Sequence, residues 1–169
     1  MNADDLRTLQ APLKTRYRSE PDAARIILRA KGGLDGTGVT CKVETGRALA
    51  VAGLHPLTGG DGLTRCSGDM LLEALVACAG VTLKAVAAAL GLPLRSGEVT
   101  AEGEFDARGT LGVDKTAPVG LTDIKLKFRL DADASPEQLE TLLKLTERYC
   151  VVLQTLRAGP NVEASVERG

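Results

Sequence analysis

The longest apolar stretch of the chain, Ser67–Pro93, predicts a single helix. No charged residue occurs within Ala74–Leu83, so the segment is apolar on nearly every side and should be covered on every side. Serine and aspartate at its start favour a helix N-terminus, and Gly91 favours a C-terminus. A helix over Asp69–Leu90 would be roughly 33 Å long, about the width of a small domain.

Alternating apolar and polar residues predict strands on both sides of this helix. Before it, glycine-rich turns separate three short candidates, Ala24–Ala30, Val39–Glu44 and Ala48–Ala52. Cys41 alternates with valines in the second and is expected to point into the core. After the helix, a strand over 98–107 has an acidic outer face and one over 124–130 has a basic outer face. We expect these two to pair antiparallel with opposite charges facing each other, although such charges also simply keep a sheet face soluble.

The C-terminal part predicts two helical pieces and a last strand. A capping box at Ser135–Gln138 starts a helix that reaches Arg148, a second piece continues to Arg157, and Val162–Val166 reads as a short strand. The order of the predicted elements indicates an α+β fold with a largely antiparallel sheet: strands, a long helix, strands, helices and a last strand. We expect an N-terminal arm over 1–22 and one domain over 23–169.

Composition narrows the classes of function. The 169 residues are 44% hydrophobic but only 2% aromatic, with a net charge of −1, which argues against a nucleic-acid-binding surface. Glu73 and Lys84 within the apolar stretch, and its high alanine content, argue against a membrane span. Because no signal peptide is visible, we expect the protein in the cytoplasm, where its four cysteines stay reduced.

No cofactor or metal ion is expected. The glycines at 59, 60 and 62 fit neither glycine-rich phosphate-binding motif. A zinc site built from the cysteines and His55 lacks a closely spaced ligand pair, and His55 has no accompanying hydrolase motif.

Two cysteines stand out as candidate reactive groups. Cys78 lies in the middle of the apolar helix among small residues, and Cys150 lies at the start of a helical segment, where a thiol pKa is lowered. They are 72 positions apart, so only the fold can bring them together. Two buried, inert cysteines would be the simplest alternative.

The segment DMLLEALVAC, which ends at Cys78, resembles the central helix of the OsmC/Ohr family of organic hydroperoxide reductases and their relatives. The segment RYCVVLQTL, which contains Cys150, resembles the second cysteine motif of that family. The resemblance covers roughly residues 23–168. It implies an intertwined homodimer in which mainly antiparallel sheets wrap around long central helices. It also implies that Cys78 attacks a peroxide, that Cys150 resolves the sulfenic acid as a disulfide, and that an external thiol or dithiol reduces that bond.

Some positions depart from the family pattern. The family glutamate ten residues before the first cysteine is Gly68 here, and Asp69 is the acidic candidate instead. Arg65 is the candidate for the arginine that activates the thiolate, with Arg25 and Arg47 as alternatives. Further departures are Val151 at a position that is often proline and Glu73 on a different helical turn, where a solvated carboxylate at the helix end is the simpler interpretation. An extra thiol, Cys66, is either a rival resolving partner or an incidental loop cysteine.

The expected function is thiol-dependent reduction of organic hydroperoxides, or of hydrogen peroxide, through Cys78 and Cys150. The alternative is a non-enzymatic relative that binds a small apolar or thiol-bearing ligand in the dimer pocket. Neither reading involves nucleic acid or a membrane.

Overall fold

The computed structural model describes residues 31–33, 40–44, 49–112 and 114–168, together with single residues at positions 4, 8, 11 and 19. The rest of the predicted arm over 1–22, the predicted strand Ala24–Ala30, and the candidates Arg25 and Arg47 lie outside these residues.

Four short strands form the first sheet and neighbour one another in sequence order. The first three pair antiparallel, and the fourth runs parallel to the third. The strands are β1 (Lys31–Gly33), β2 (Thr40–Glu44), β3 (Leu49–Gly53) and β4 (Arg65–Cys66). The predictions for β2 and β3 are confirmed to within one residue. Cys41 lies in β2, but the predicted direction of its side chain falls outside what the structure describes.

Helix α1 spans Ser67–Leu90 and confirms the predicted central helix. It begins at Ser67, one of the two residues predicted to mark its start, because Cys66 has the extended backbone of an N-cap. It ends at Gly91, whose φ of 69° is left-handed and costs a glycine little. The backbone N–H of Gly91 then donates to the Ala88 carbonyl, so one of the last carbonyls of the helix is satisfied.

The second sheet is a long hairpin of β5 (Leu94–Phe105) and β6 (Leu121–Ala132). The predicted antiparallel pairing of acidic and basic faces is confirmed, with Glu98 opposite Arg129 and Glu102 opposite Lys125. The connection between the strands contains a short helix, α2 (Ala107–Thr110), where the sequence predicted none. These cross-strand charges lie in solvent, so they fix register more than they add stability.

Two consecutive helices, α3 (Pro136–Tyr149) and α4 (Val151–Ala158), follow the hairpin. The predicted capping box is confirmed. The Ser135 hydroxyl accepts from the Gln138 backbone N–H at 3.3 Å, and the Ser135 N–H donates to the Gln138 side chain at 2.8 Å. The helices meet at Cys150, which ends one and starts the other.

The prediction of a last strand over Val162–Val166 is wrong. No residue from 159 to 168 is assigned to a strand, and Val162 and Val166 are 80% and 92% exposed. Its alternating residues match a strand, but a strand also needs a neighbour for its backbone groups. None of the described strands of this chain pairs with it.

Helix α1 packs against β5, α3 and α4 along one face. Leu75, Ala79 and Leu83 on that face are buried, whereas Val81 on the opposite face is 72% exposed. The helix has the length and mean hydropathy, 1.8, to cross a membrane, a property that the core helix of a soluble protein shares. A single chain therefore covers only part of the helix that the sequence predicted to be covered all round.

Candidate active site

Cys78 and Cys150 meet inside the fold, between α1 and the junction of α3 and α4. Cys150 is fully buried in a cluster with Leu75, Ala79 and Leu153, and the partly exposed Cys78 packs against that cluster. The two thiols lie close enough for each to shift the pKa of the other. The structure thus brings together two of the four predicted site residues, and both are free thiols.

The interruption of the helix between α3 and α4 places a helix N-terminus beside the two thiols. The backbone N–H of Cys150 still donates to the Thr146 carbonyl at 2.9 Å, as the last turn of α3 requires. Helix α4 starts at the next residue, and the Cys150 side chain makes no capping hydrogen bond to it. The first N–H groups of α4 have no partner within their own helix, and those of Val151 and Val152 lower the pKa of the nearby Cys78 thiol.

These donors favour the Cys78 thiolate. Partial burial by itself raises the pKa of Cys78, but hydrogen bonds from the Val152 N–H, the Cys150 thiol, the Val151 N–H and the Thr82 hydroxyl outweigh it. The pKa of Cys78 therefore lies below the ordinary thiol value. The partial positive charge at the start of α4 acts in the same direction.

Cys150 shifts the other way. Burial raises the pKa of Cys150, backbone N–H groups of Leu153 and Val152 partly oppose this, and the adjacent Cys78 raises it further. Cys150 is consequently the protonated partner, whose S–H donates to the Cys78 thiolate. The pair thus consists of a partly exposed sulfur that favours the thiolate and a fully buried thiol.

The two other predicted site residues lie at the N-terminal end of α1, away from the sulfurs. Asp69 is in the first turn, nine residues before Cys78 and roughly 13 Å away along the helix axis. Arg65, in β4, forms an exposed ion pair with Glu73. Glu73, which the sequence left as a solvated carboxylate, therefore has a partner. Within one chain, neither Arg65 nor Asp69 is among the groups bonded to Cys78.

The remaining candidates form a separate region. Cys66 and His55 line a pocket of about 280 Å³ between β3, α1 and the end of β5. The His55 ring packs edge-on against Phe105 at 5.5 Å between centroids. Cys66 is not among the side chains that contact the Cys78–Cys150 pair in the described chain. Among the described residues, no three His, Cys, Asp or Glu side chains are grouped to hold a metal ion.

An apolar groove of about 590 Å³ opens between the hairpin and helices α3 and α4. Leu126 and Leu153 line it, and both also belong to the cluster around the cysteines. Charged groups of Asp123, Glu147 and Arg157 lie at its edge, and neither sulfur lines it. The groove and the thiol pair thus share lining residues.

Sequence reasoning missed Thr82 and the first amides of α4. Thr82 follows Cys78 by four residues, which is the spacing of neighbours on one helix face and was a readable signal. The amides gave no signal, because any residue at those positions offers an N–H.

These features define a class of protein: an α+β fold in which a long apolar helix presents one thiol to a second thiol at a helix junction. The model of the OsmC-like protein family matches residues 60–165, more than half of the chain. The chain therefore belongs to the OsmC-like protein family. No curated protein matches it significantly.

Solved structures agree on the fold. An OsmC-like protein from Mycoplasma pneumoniae is 17% identical with a TM-score of 0.63, over 78% of this chain and 88% of that one. An OsmC-like protein of unknown function from Vibrio cholerae is 14% identical with a TM-score of 0.63, over 78% and 94%. An organic hydroperoxide resistance protein OsmC from Legionella pneumophila is 18% identical with a TM-score of 0.56, over 79% and 91%.

Proposed function

We propose that this protein is a thiol-dependent peroxidase that reduces organic hydroperoxides, and hydrogen peroxide, to alcohols or water. The supporting observation is the packing of Cys78 against Cys150, in which the sulfur whose pKa is lowered is also the one that solvent reaches. The structural similarity to the organic hydroperoxide resistance protein of Legionella pneumophila points the same way.

Each thiol acts in one step of the proposed reaction, Cys78 on the peroxide and Cys150 on the oxidised Cys78. The Cys78 thiolate attacks the distal peroxide oxygen, so that an S–O bond forms and the O–O bond breaks. The alkoxide takes a proton and leaves as the alcohol, and Cys78 is oxidised by two electrons to a sulfenic acid. The Cys150 sulfur then attacks Cys78, an S–S bond forms, and the hydroxyl leaves as water with the Cys150 proton. An external thiol or dithiol reduces the disulfide and is itself oxidised.

Arg65 and Asp69 retain their proposed roles as the cation that activates the thiolate and as an acidic partner. Arg65 would have to leave Glu73 to reach the thiolate of its own chain, since that ion pair holds its guanidinium. The amides of Val151 and Val152 already supply positive potential at the sulfur. An arginine would therefore act mainly on the incoming peroxide.

We further propose a homodimer of one 23–169 domain per chain, with the open face of α1 in the shared core. Ala74, Ala77 and Val81 lie exposed on that face, and such an apolar surface is typical of an interface. Sedimentation at micromolar concentration should give twice the chain mass of 17.7 kDa. A stable monomer under those conditions would contradict the dimer.

The apolar groove favours a second candidate function, binding of a small apolar or thiol-bearing ligand without turnover. Its volume of about 590 Å³ lies in the range of small-molecule sites, and its lining is mostly leucine. A protein that binds such a compound but consumes no peroxide would support this alternative. Under both candidates the proposed location is the cytoplasm, with no nucleic acid or membrane as a partner.

Product analysis after a single turnover tests the peroxidase. One equivalent of cumene hydroperoxide added to the reduced protein should yield one equivalent of alcohol and remove two hydrogen masses from the chain. Digestion should then link the peptides of Cys78 and Cys150. The matched control is Cys66→Ser, which should form the same link, because Cys66 lies in another pocket. Unchanged thiols, or a link through Cys66, would overturn the proposal.

A further inference from the structure

The open face of α1 carries one positive charge in an otherwise apolar series of residues. The face lies opposite the buried Leu75, Ala79 and Leu83, and its members follow one another at intervals of three and four positions. They are Met70, Ala74, Ala77, Val81, Lys84 and Ala88, all exposed or half-buried. The alanines let a second helix approach closely, and only Lys84 interrupts the apolar series.

Lys84 needs a carboxylate if this face is covered. It is exposed, and no carboxylate in the described part of the chain forms an ion pair with it. Covering the face would take its ammonium group out of water, which is unfavourable unless an opposite charge lies beside it. Glu73 is the nearer of the two acidic residues of α1, but it lies roughly 16 Å away along the helix axis. The two residues therefore cannot pair within one chain.

A hollow of about 450 Å³ beside the open face leaves Glu73 accessible to a second cation. It lies between the first half of α1 and β5, and its lining is apolar except for two carboxylates. The lining residues are Asp69, Leu72, Glu73, Val76, Ala77 and Ala101. Glu73 pairs with Arg65 of its own chain, yet its side chain is still 51% exposed. With Asp69 and Glu73 against Arg65, this end of the face has one more negative than positive charge.

A two-fold axis brings the opposite charges together if the two helices are antiparallel. Antiparallel helices centred at the level of Ala79 place Ala77 against Val81 of the partner subunit. The same register places Glu73 at the level of Lys84 of the partner subunit. Eleven residues are almost three complete turns, so both charges also lie on the same edge of the face. Parallel helices would instead place like residues side by side.

We propose that two copies of this chain pack their α1 helices antiparallel about a two-fold axis at the level of Ala79, and that Glu73 of each copy binds Lys84 of the partner subunit. The inference rests on the homodimer proposed above and specifies its register. The pair occurs twice, and the apolar stem of each lysine crosses the face of the other helix. Arg65 keeps its place, because a carboxylate accepts from more than one cation. A shifted or parallel arrangement would leave Lys84 in an apolar contact without a carboxylate.

Carbodiimide cross-linking of the wild-type protein tests this contact without any substitution. The reagent joins a carboxylate to an amine as an amide, with loss of water and no spacer. Because Glu73 and Lys84 are too far apart within one chain, a link between them must join two chains. We expect mass spectrometry of the covalent dimer to identify this link. A mixture of isotope-labelled and unlabelled protein should give links of mixed label.

Two opposite charge reversals, mixed together, test the register independently. Glu73→Lys and Lys84→Glu each place like charges at both contacts of their own homodimer, so each should dimerise about tenfold to a hundredfold more weakly than the wild type in sedimentation. Their heterodimer has opposite charges at both contacts. With one variant isotope-labelled, native mass spectrometry should show at least about tenfold more heterodimer than either homodimer. The lost Arg65 pair in Glu73→Lys is common to its homodimer and the heterodimer, so it does not bias the comparison.

The matched control is Lys144→Glu, the same charge change at an exposed position of α3. It should dimerise like the wild type and show no preference for Glu73→Lys. A wild-type dimer without the Glu73–Lys84 link, or a mixture of the two reversals with only the statistical share of heterodimer, would overturn this register and leave the homodimer standing. A wild-type monomer would overturn both. Peroxide reduction is measured separately, by the single-turnover experiment.

Discussion

Replacing Cys78 by serine is expected to lower the rate of organic hydroperoxide reduction by at least about a thousandfold. A serine hydroxyl is not ionised near neutral pH, and it cannot form the sulfenic acid that carries the oxygen. The α4 amides would remain in place but would have no thiolate to stabilise. The rate is measured as consumption of cumene hydroperoxide with dithiothreitol as the reductant.

Two further variants serve as controls for the Cys78→Ser result. Cys66→Ser should keep the wild-type rate. Cys150→Ser, assayed without added thiol, should consume one equivalent of peroxide and then stop with Cys78 as a sulfenic acid that dimedone traps. Substantial turnover by Cys78→Ser would show that another group reduces the peroxide. Loss of activity in Cys66→Ser would move the chemistry to the pocket beside His55.

Replacing Leu75 by alanine is expected to lower the free energy of unfolding by about 2–5 kcal/mol. Leu75 is 0% exposed and packs in the cluster that contains Cys150, Ala79 and Leu153, on the face of α1 that the chain itself covers. The shorter side chain leaves a cavity that close-packed neighbours only partly fill. Urea unfolding at a fixed protein concentration measures the change, because association of chains would add to the stability.

The matched control is Leu63→Ala, which deletes the same atoms at a position that is 87% exposed. Its effect should stay within about 0.5 kcal/mol. Equal losses for the two variants would show that the cluster around the cysteines is not the core that the structure describes.

Periodicity and charge predicted the elements that depend on local sequence. The apolar run and Gly91 define α1, and the complementary charges of the hairpin specify which strands pair. The segment Val162–Val166 has equally good alternation and forms no strand. Alternation reports which side chains share a face, but it does not report whether another backbone lies alongside.

The site was predictable only as far as its two sulfurs. Family resemblance suggested that Cys78 and Cys150 act together, and the fold brings them into contact. It did not suggest that Arg65 pairs with Glu73, because that pair depends on how β4 leads into α1. Nor did it indicate the Val151 and Val152 amides, which lie near Cys78 only because the helix is interrupted at Cys150, between α3 and α4.

The interruption between α3 and α4 links the protonation of both sulfurs to folding. In the unfolded chain, Cys78 has no α4 amides beside it and Cys150 is not buried. The pKa of Cys78 is lower in the folded chain, so its contribution to stability grows as pH rises from the folded toward the unfolded value. The pKa of Cys150 is higher in the folded chain, so its contribution is complete below the unfolded value and disappears as pH rises through the folded one. In mildly alkaline solution, acquiring the native structure therefore expels a proton from one sulfur while it retains the proton on the other.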